Sequence, residues 1–322
     1  MGEIIKVTSG KDLLKSYASK KQARQIFGNF LFEGELSILF GDSNAGKSIL
    51  ANEIAFFVSG GGHKWPNMKS PKIPSLYIDM EMSGDQFARR YATAVDYIPY
   101  GYSRAEVNAS STNDKWSYVK NKIIMMQGQK DAPKFIIIDN ITNGFGSIYS
   151  AKKMAAFVME MKTLKERYGL TMLLIAHCPK RNKKKPLEQD ALGGSKMILN
   201  FVDSAFAVGT SFQDDDIRYV KQVKCRECQK SSKVMTVQIK NEPYLSMWYL
   251  DMTKEETHID PKSMKCYYDF TPEEEIQLVE LLTRKNNGEE IYYSDISNKT
   301  GIPYDIVLLY DVENFRLPKE EE

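Results

Sequence analysis

The residues best suited to chemistry lie in one short stretch. Gly41-Asp42-Ser43-Asn44-Ala45-Gly46-Lys47-Ser48 sets two glycines around four residues, then a lysine and a hydroxyl. Glycines let a backbone close tightly on an anion. The lysine can then reach the β- and γ-phosphates of a nucleoside triphosphate, while the Ser48 hydroxyl ligates Mg²⁺. The flanks agree with this. Leu36-Ser37-Ile38-Leu39-Phe40 reads as a buried strand. Leu50, Ile54, Phe57 and Val58 fall at helical spacing, and Gly60-Gly61-Gly62 ends the helix. The helix would begin around Lys47, Ser48 and Ile49, where first-turn N–H groups and the helix dipole both favour a bound anion. ATP, or GTP, with Mg²⁺ is the ligand this pattern implies.

Hydrolysis of a triphosphate also requires a metal anchor and a group that orients the attacking water. Phe135-Ile136-Ile137-Ile138-Asp139 ends an apolar strand on a carboxylate suited to holding the metal. Asn140 follows it, and an amide cannot take a proton, so the base must come from another strand. Leu76-Tyr77-Ile78-Asp79-Met80-Glu81 offers Glu81 just past a second apolar strand, with Asp79 as the weaker choice.

Around these positions the chain alternates short apolar strands with helical stripes. Strands are expected at Ser75–Met80, Phe135–Ile138, Thr171–Ala176 and Ser204–Val208, and a helix over Met154, Phe157, Val158, Met161, Leu164 and Tyr168, stopped by Gly169. That rhythm predicts an α/β fold: a mostly parallel sheet with helices on both faces. After Ile217 the runs Tyr219–Val223, Val234–Ile239 and Tyr244–Leu250 predict an antiparallel extension. The organisation expected is a helical N-terminal arm over 1–30, with its helix near Asp12 to Ile26, an ATPase core over 31–251 and a linker over 252–269. A small helix-turn-helix or winged-helix-like module would occupy 270–322, with an acidic tail. Thr271-Pro272-Glu273-Glu274 is a strong helix start for that module.

Among 322 residues, 42% are hydrophobic and no apolar run reaches a membrane-spanning length, which predicts a cytoplasmic protein without a membrane partner. Cys178, Cys225, Cys228 and Cys266 form no disulfide framework, and Cys225 with Cys228 reads as two free thiols. The net charge of +2 means that any nucleic-acid contact must use a local patch. Lys180, Arg181, Lys183, Lys184 and Lys185 supply one, between Pro179 and Pro186. A solvated loop is the plain alternative. Tyr97, Tyr100 and Tyr102 could stack bases, although ordinary loop packing serves them as well.

The later motifs resemble those of RecA-fold ATPases, especially ring helicases of the DnaB kind and plasmid RepA-type helicases. Glu81-Met82-Ser83-Gly84-Asp85-Gln86-Phe87-Ala88-Arg89-Arg90 is similar to the segment that carries their catalytic glutamate. Leu174-Ile175-Ala176-His177 is similar to their strand ending in a γ-phosphate sensor, here His177. Gly193-Gly194-Ser195, with Asp203 before the next strand, matches in order. Lys224-Cys225-Arg226 resembles the K-x-R that a neighbouring subunit extends to the γ-phosphate. The resemblance spans roughly residues 30–240. It implies a homo-oligomer, most simply a hexamer, with sites at subunit interfaces and single-stranded DNA in its channel. Asn140 through Phe145 departs from the family pattern. A regulator or loader working through a protein partner of residues 270–318, or a filament-forming recombinase, remains open on the sequence.

Overall fold

Leu36–Gly41 (β3) is buried at every position, as a central strand covered on both faces must be. The computed structural model describes residues 7–18, 23–66, 68–107, 115–141, 151–178, 186–189, 196–259, 271–311 and 315. The five cations of the basic loop, Gly193–Ser195 and the acidic C-terminal end lie outside these. The chain forms two compact units, the first running to His258 and the second beginning at Ile259. No described helix is long and apolar enough to cross a membrane.

In the first unit, β3 pairs in parallel with Thr171–His177 (β9) on one side and Ser204–Thr210 (β10) on the other. Beyond β9 come Phe135–Asp139 (β8), Ser75–Asp79 (β6) and Tyr102–Glu106 (β7), all parallel. Beyond β10 the predicted antiparallel extension follows as Ile217–Lys224 (β11), Val234–Lys240 (β12) and Ser246–Thr253 (β13). The order is thus β13-β12-β11-β10-β3-β9-β8-β6-β7. Alternation along the strands divides the core in two. Ile38, Ile78, Ile136, Ile138 and Leu174 face Ala151–Tyr168 (α5) and Lys115–Met126 (α4), while Leu39, Tyr77, Ile137 and Ile175 face Lys47–Gly60 (α2). Each such fully buried aliphatic side chain is worth roughly 1.5–3 kcal/mol.

Three boundaries differ from expectation. Among the described residues the N-terminal helix (α1) spans Gly10–Ala18, and Ile26 lies instead on a short buried strand, Gln25–Phe27 (β1), paired with Leu31–Phe32 (β2). The irregular linker does not begin at 252: β13 continues to Thr253, and a 3₁₀ turn over Glu255–His258 follows with His258 buried against Ser211, Thr236 and Thr253. Tyr102 is no loop residue either. It opens β7, and its hydroxyl donates to Asn52 at 2.9 Å.

Among the described residues, the second unit has three α-helices. Pro272–Asn286 (α7) is capped by a reciprocal Thr271–Glu274 box. Tyr293–Thr300 (α8) ends on Gly301 at φ 71°, a left-handed position that favours glycine, before Tyr304–Asp311 (α9). Leu278, Leu282, Ile296, Ile302 and Val307 form their shared core.

Candidate active site

The phosphate loop joins the C-terminal end of β3 to the first turn of α2. Gly41 is required by space: a Cβ there would stand 2.4 Å from the Val208 carbonyl oxygen of the neighbouring strand. Gly46 has φ 90°, and a Cβ would meet Met247 at 2.7 Å; Asn44 takes φ 62°, which asparagine tolerates. Gly41→Ala should therefore destabilise the fold by about 1–3 kcal/mol of overpacking, lower the melting temperature accordingly and weaken nucleotide binding in parallel. A calorimetric melt with and without nucleotide checks both. Lys47 is buried, and its ammonium donates to the Gly41 and Asp42 carbonyls at 3.0 and 2.7 Å. Burial lowers its pKa, against the opposing pull of Cys178, Asp139, Glu81 and Asp42. Ser43 and Asn44 are exposed at the loop tip, while Ala45 is buried beneath it.

Asp139 ends β8 and is almost fully enclosed. Tyr77 donates its hydroxyl to Oδ2 at 2.5 Å. Burial raises the carboxyl to about 6, with the Tyr77 and Ser48 hydroxyls easing the charge. Its Oδ1 is buried without a hydrogen bond of ordinary geometry among the described residues. A carboxylate oxygen left over in this way, beside the Ser48 hydroxyl, fits a hard divalent cation, which takes oxygen ligands. The peptide bond that follows, Asp139–Asn140, is cis.

Glu81 stands two residues beyond the end of β6, and β6 and β8 pair in register, with Asp79 opposite Asp139. Its Oε1 accepts hydrogen bonds from the Asn140 amide and from His177 Nε2, the latter at 3.0 Å. His177 then carries its proton on Nε2. The His177 bond is the chief reason that the Glu81 pKa lies below its ordinary value. It outweighs partial burial and is helped by the Asn140 amide and the Lys47 charge. The carboxylate is thus kept ionised and oriented while a third of it remains exposed. Asp79, the weaker candidate for the base, is committed elsewhere. It pairs with Arg104 at 2.9 Å, and its Oδ1 accepts the N–H groups of Glu81 and Met82 at 3.0 and 2.8 Å. It fixes the backbone that carries Glu81.

Sequence reading brought Lys47, Ser48, Glu81, Asp139 and His177 to one place, and the fold assembles them there. It missed their supports. Arg104 lies on β7, a strand with no apolar run to reveal it. Tyr77 sits inside an apolar strand run, with nothing beside it to mark its hydroxyl. Arg218 of β11 reaches the phosphate loop, donating to the Ala45 carbonyl at 3.2 Å. Asn140, a departure from the family pattern, is a hydrogen-bond donor to Glu81. None of these has a local signal, because each partner comes from a different strand.

Lys224 and Arg226 are not at this site. Lys224 pairs with Ala205 near the start of β10, whereas Gly41 pairs with Val208 towards its end. The Lys224 ammonium caps carbonyls at the end of Lys196–Phe201 (α6), donating to Leu199 and to Val202 at 2.8 Å. Arg226 is half exposed and pairs with Asp203 at 2.8 Å. Asp203 also accepts from Lys165 at 3.0 Å and from the Leu36 N–H at 2.9 Å. Burial alone would raise this carboxyl, but these three donors hold it below its ordinary pKa.

A phosphate loop on the first strand of a parallel sheet, with carboxylates at the ends of two neighbouring strands, defines a RecA-fold P-loop ATPase. A family model described as "AAA domain" matches residues 11–183, and the chain belongs to that family. Among solved structures the fold is similar to that of a KaiC-like protein from the hyperthermophilic archaeon Pyrococcus horikoshii OT3. The TM-score is 0.52 at 15% identity, covering 71% of this chain and all of the other. No curated protein matches the sequence.

Proposed function

We propose that the chain is an Mg²⁺-dependent ATPase that assembles as a ring, most simply a hexamer, and moves along single-stranded DNA as a helicase. The observation that carries the hydrolytic part is the Glu81 carboxylate, held ionised between Asn140 and His177 within electrostatic reach of Lys47 and Asp139. In this reading the phosphate loop and Lys47 bind the triphosphate, and Ser48 and Asp139 would hold Mg²⁺, which supplies charge neutralisation on the phosphates. Glu81 orients the attacking water and takes its proton. His177 links the base to the γ-phosphate position, so that the state of the nucleotide can be passed to the chain that follows β9. That chain leads into Lys180, Arg181, Lys183, Lys184 and Lys185, a cationic run that would grip DNA phosphates regardless of sequence.

In this reading Lys224 and Arg226, which stand away from their own phosphate loop, act at a neighbour's site in the ring, where a cation stabilises charge on the γ-phosphate in the transition state. Arg226 would have to leave Asp203 to do so. Arg226→Ala subunits mixed with wild type should depress activity more steeply than their dose, because each disables a neighbour. A fall merely proportional to dose would remove the finger. The whole reading is tested by steady-state ATP hydrolysis with and without single-stranded DNA. Stimulation that vanishes when the five cations are neutralised supports the motor. Turnover indifferent to nucleic acid supports instead a regulator acting through a protein partner. The second unit gives that alternative a surface, since Ile276, Tyr292 and Tyr304 are exposed on it.

A further inference from the structure

The turn that links β11 to β12 contains two thiols that the ATPase chemistry does not use. Cys225 and Cys228 flank Arg226 and Glu227, and their sulfurs are 2.7 Å apart. Both are free and partly exposed. Their surroundings are polar and ordered. The Cys228 N–H donates to Cys225 Sγ at 3.2 Å, and the Gln222 amide donates to Cys228 Sγ at 3.4 Å. Gln222 also donates to the Asn29 carbonyl and accepts from the Ser231 N–H at 2.8 Å, so both stems of the turn are tied to the core. Burial and the adjacent Cys228 push the Cys225 thiol upward. No third cysteine, histidine or carboxylate completes a metal-binding group here among the described residues.

We propose that Cys225 and Cys228 form a reversible disulfide that fixes the turn carrying Arg226, making the contact between subunits responsive to thiol–disulfide exchange. The inference rests on the reading of Arg226 as a residue that acts on a neighbour. The oxidant is a small-molecule disulfide of the glutathione type. The thiolate of one cysteine attacks one of its sulfurs and expels the first thiol. The other cysteine then gives up its proton, attacks the protein sulfur of the mixed disulfide and expels the second thiol. Two protein thiols and one external disulfide become one protein disulfide and two external thiols, and a dithiol reductant reverses both steps. With the ring closed, residues 225–228 can no longer rearrange freely, and Arg226 stays with Asp203.

The test treats the intact chain with oxidised glutathione, alkylates the remaining thiols and maps them by mass spectrometry, then measures ATP turnover on the same samples. The expected result is a Cys225–Cys228 disulfide with Cys178 still alkylatable after denaturation. Turnover should fall at least about tenfold, well within the 10³-fold or more that an arginine finger supplies, and recover with dithiothreitol. A Cys225→Ser/Cys228→Ser variant should keep its turnover under oxidant. Failure of the pair to oxidise, or stoichiometric zinc protecting both thiols, would overturn the proposal. So would a complete disulfide that leaves turnover unchanged, or equal inhibition of the double variant. The mixed-subunit experiment with Arg226→Ala judges the finger separately, so a failed switch and a failed finger are told apart.

Discussion

Glu81→Gln is expected to bind ATP with near wild-type affinity and to lose turnover by roughly 10²–10⁴-fold, the range that a positioned general base contributes. The substitution keeps the shape of the side chain and the contact with Asn140. It removes the charge that His177 stabilises and the capacity to accept a proton. Binding should survive because the loop, Lys47 and Ser48 would hold the phosphates, and the Lys47 ammonium is anchored on the Gly41 and Asp42 carbonyls. Steady-state hydrolysis beside a fluorescent-nucleotide titration separates the two quantities. Turnover within a few-fold of wild type would move the base elsewhere. Asp79 is a poor substitute, since Arg104 and two backbone N–H groups already occupy it.

Asp139→Asn should act with opposite signs on stability and on function. The carboxyl is raised to about 6 in the folded chain, above its ordinary value of 3.8, because burial disfavours its charge. A group shifted this way stabilises the fold when protonated, and that contribution is lost as pH rises through about 6. At pH 7–8 the charged form therefore costs on the order of 2–3 kcal/mol, two pKa units at 1.36 kcal/mol each. Without nucleotide, the asparagine variant should melt several degrees higher at pH 8, and the advantage should shrink towards pH 4. With Mg²⁺ and ATP the order should reverse. Wild type gains about 4.1 kcal/mol at a thousandfold excess over Kd, and the variant loses its metal anchor and most of that gain. Melting curves over this pH range, with and without Mg²⁺ and ATP, test the pair of signs. A variant that melts lower at pH 8 without ligand would show that the carboxylate's bond to Tyr77 matters more than its desolvation.

Much of this site was legible in the sequence because its elements are buried runs. Phe135–Asp139 and Thr171–His177 are apolar over their lengths, so their strands and the polar residues that end them could be placed together. β7 escaped notice because Tyr102-Ser103-Arg104-Ala105-Glu106 is half exposed at the sheet edge, where apolar periodicity fades. The same holds for the last turns of β13, whose exposed residues resemble a linker. The supports of the site were hidden for a different reason. Tyr77 and Asp139 are 62 residues apart, Asp79 and Arg104 are 25 apart, and Arg218 and Ala45 are 173 apart. Such contacts exist only once the strand order is known, and no local pattern reports that order. Arg226 illustrates a further limit: its type suggested a role in a neighbour, while its partner Asp203 became visible only with the α6–β10 corner in place.

The in-register pairing of β6 with β8 has a bearing on which sequences this site can tolerate. Asp79 lies opposite Asp139 through a backbone ladder, and the side chains between them do not set that spacing. Apolar exchanges along either strand, such as Ile for Val, can drift without moving the acids. A single-residue insertion in one strand would turn every following side chain to the other face and send the carboxylate into the wrong core. The pair of strands therefore behaves as a ruler with exchangeable material and fixed length. Variation in length is left to the connections, where an added residue shifts neither acid.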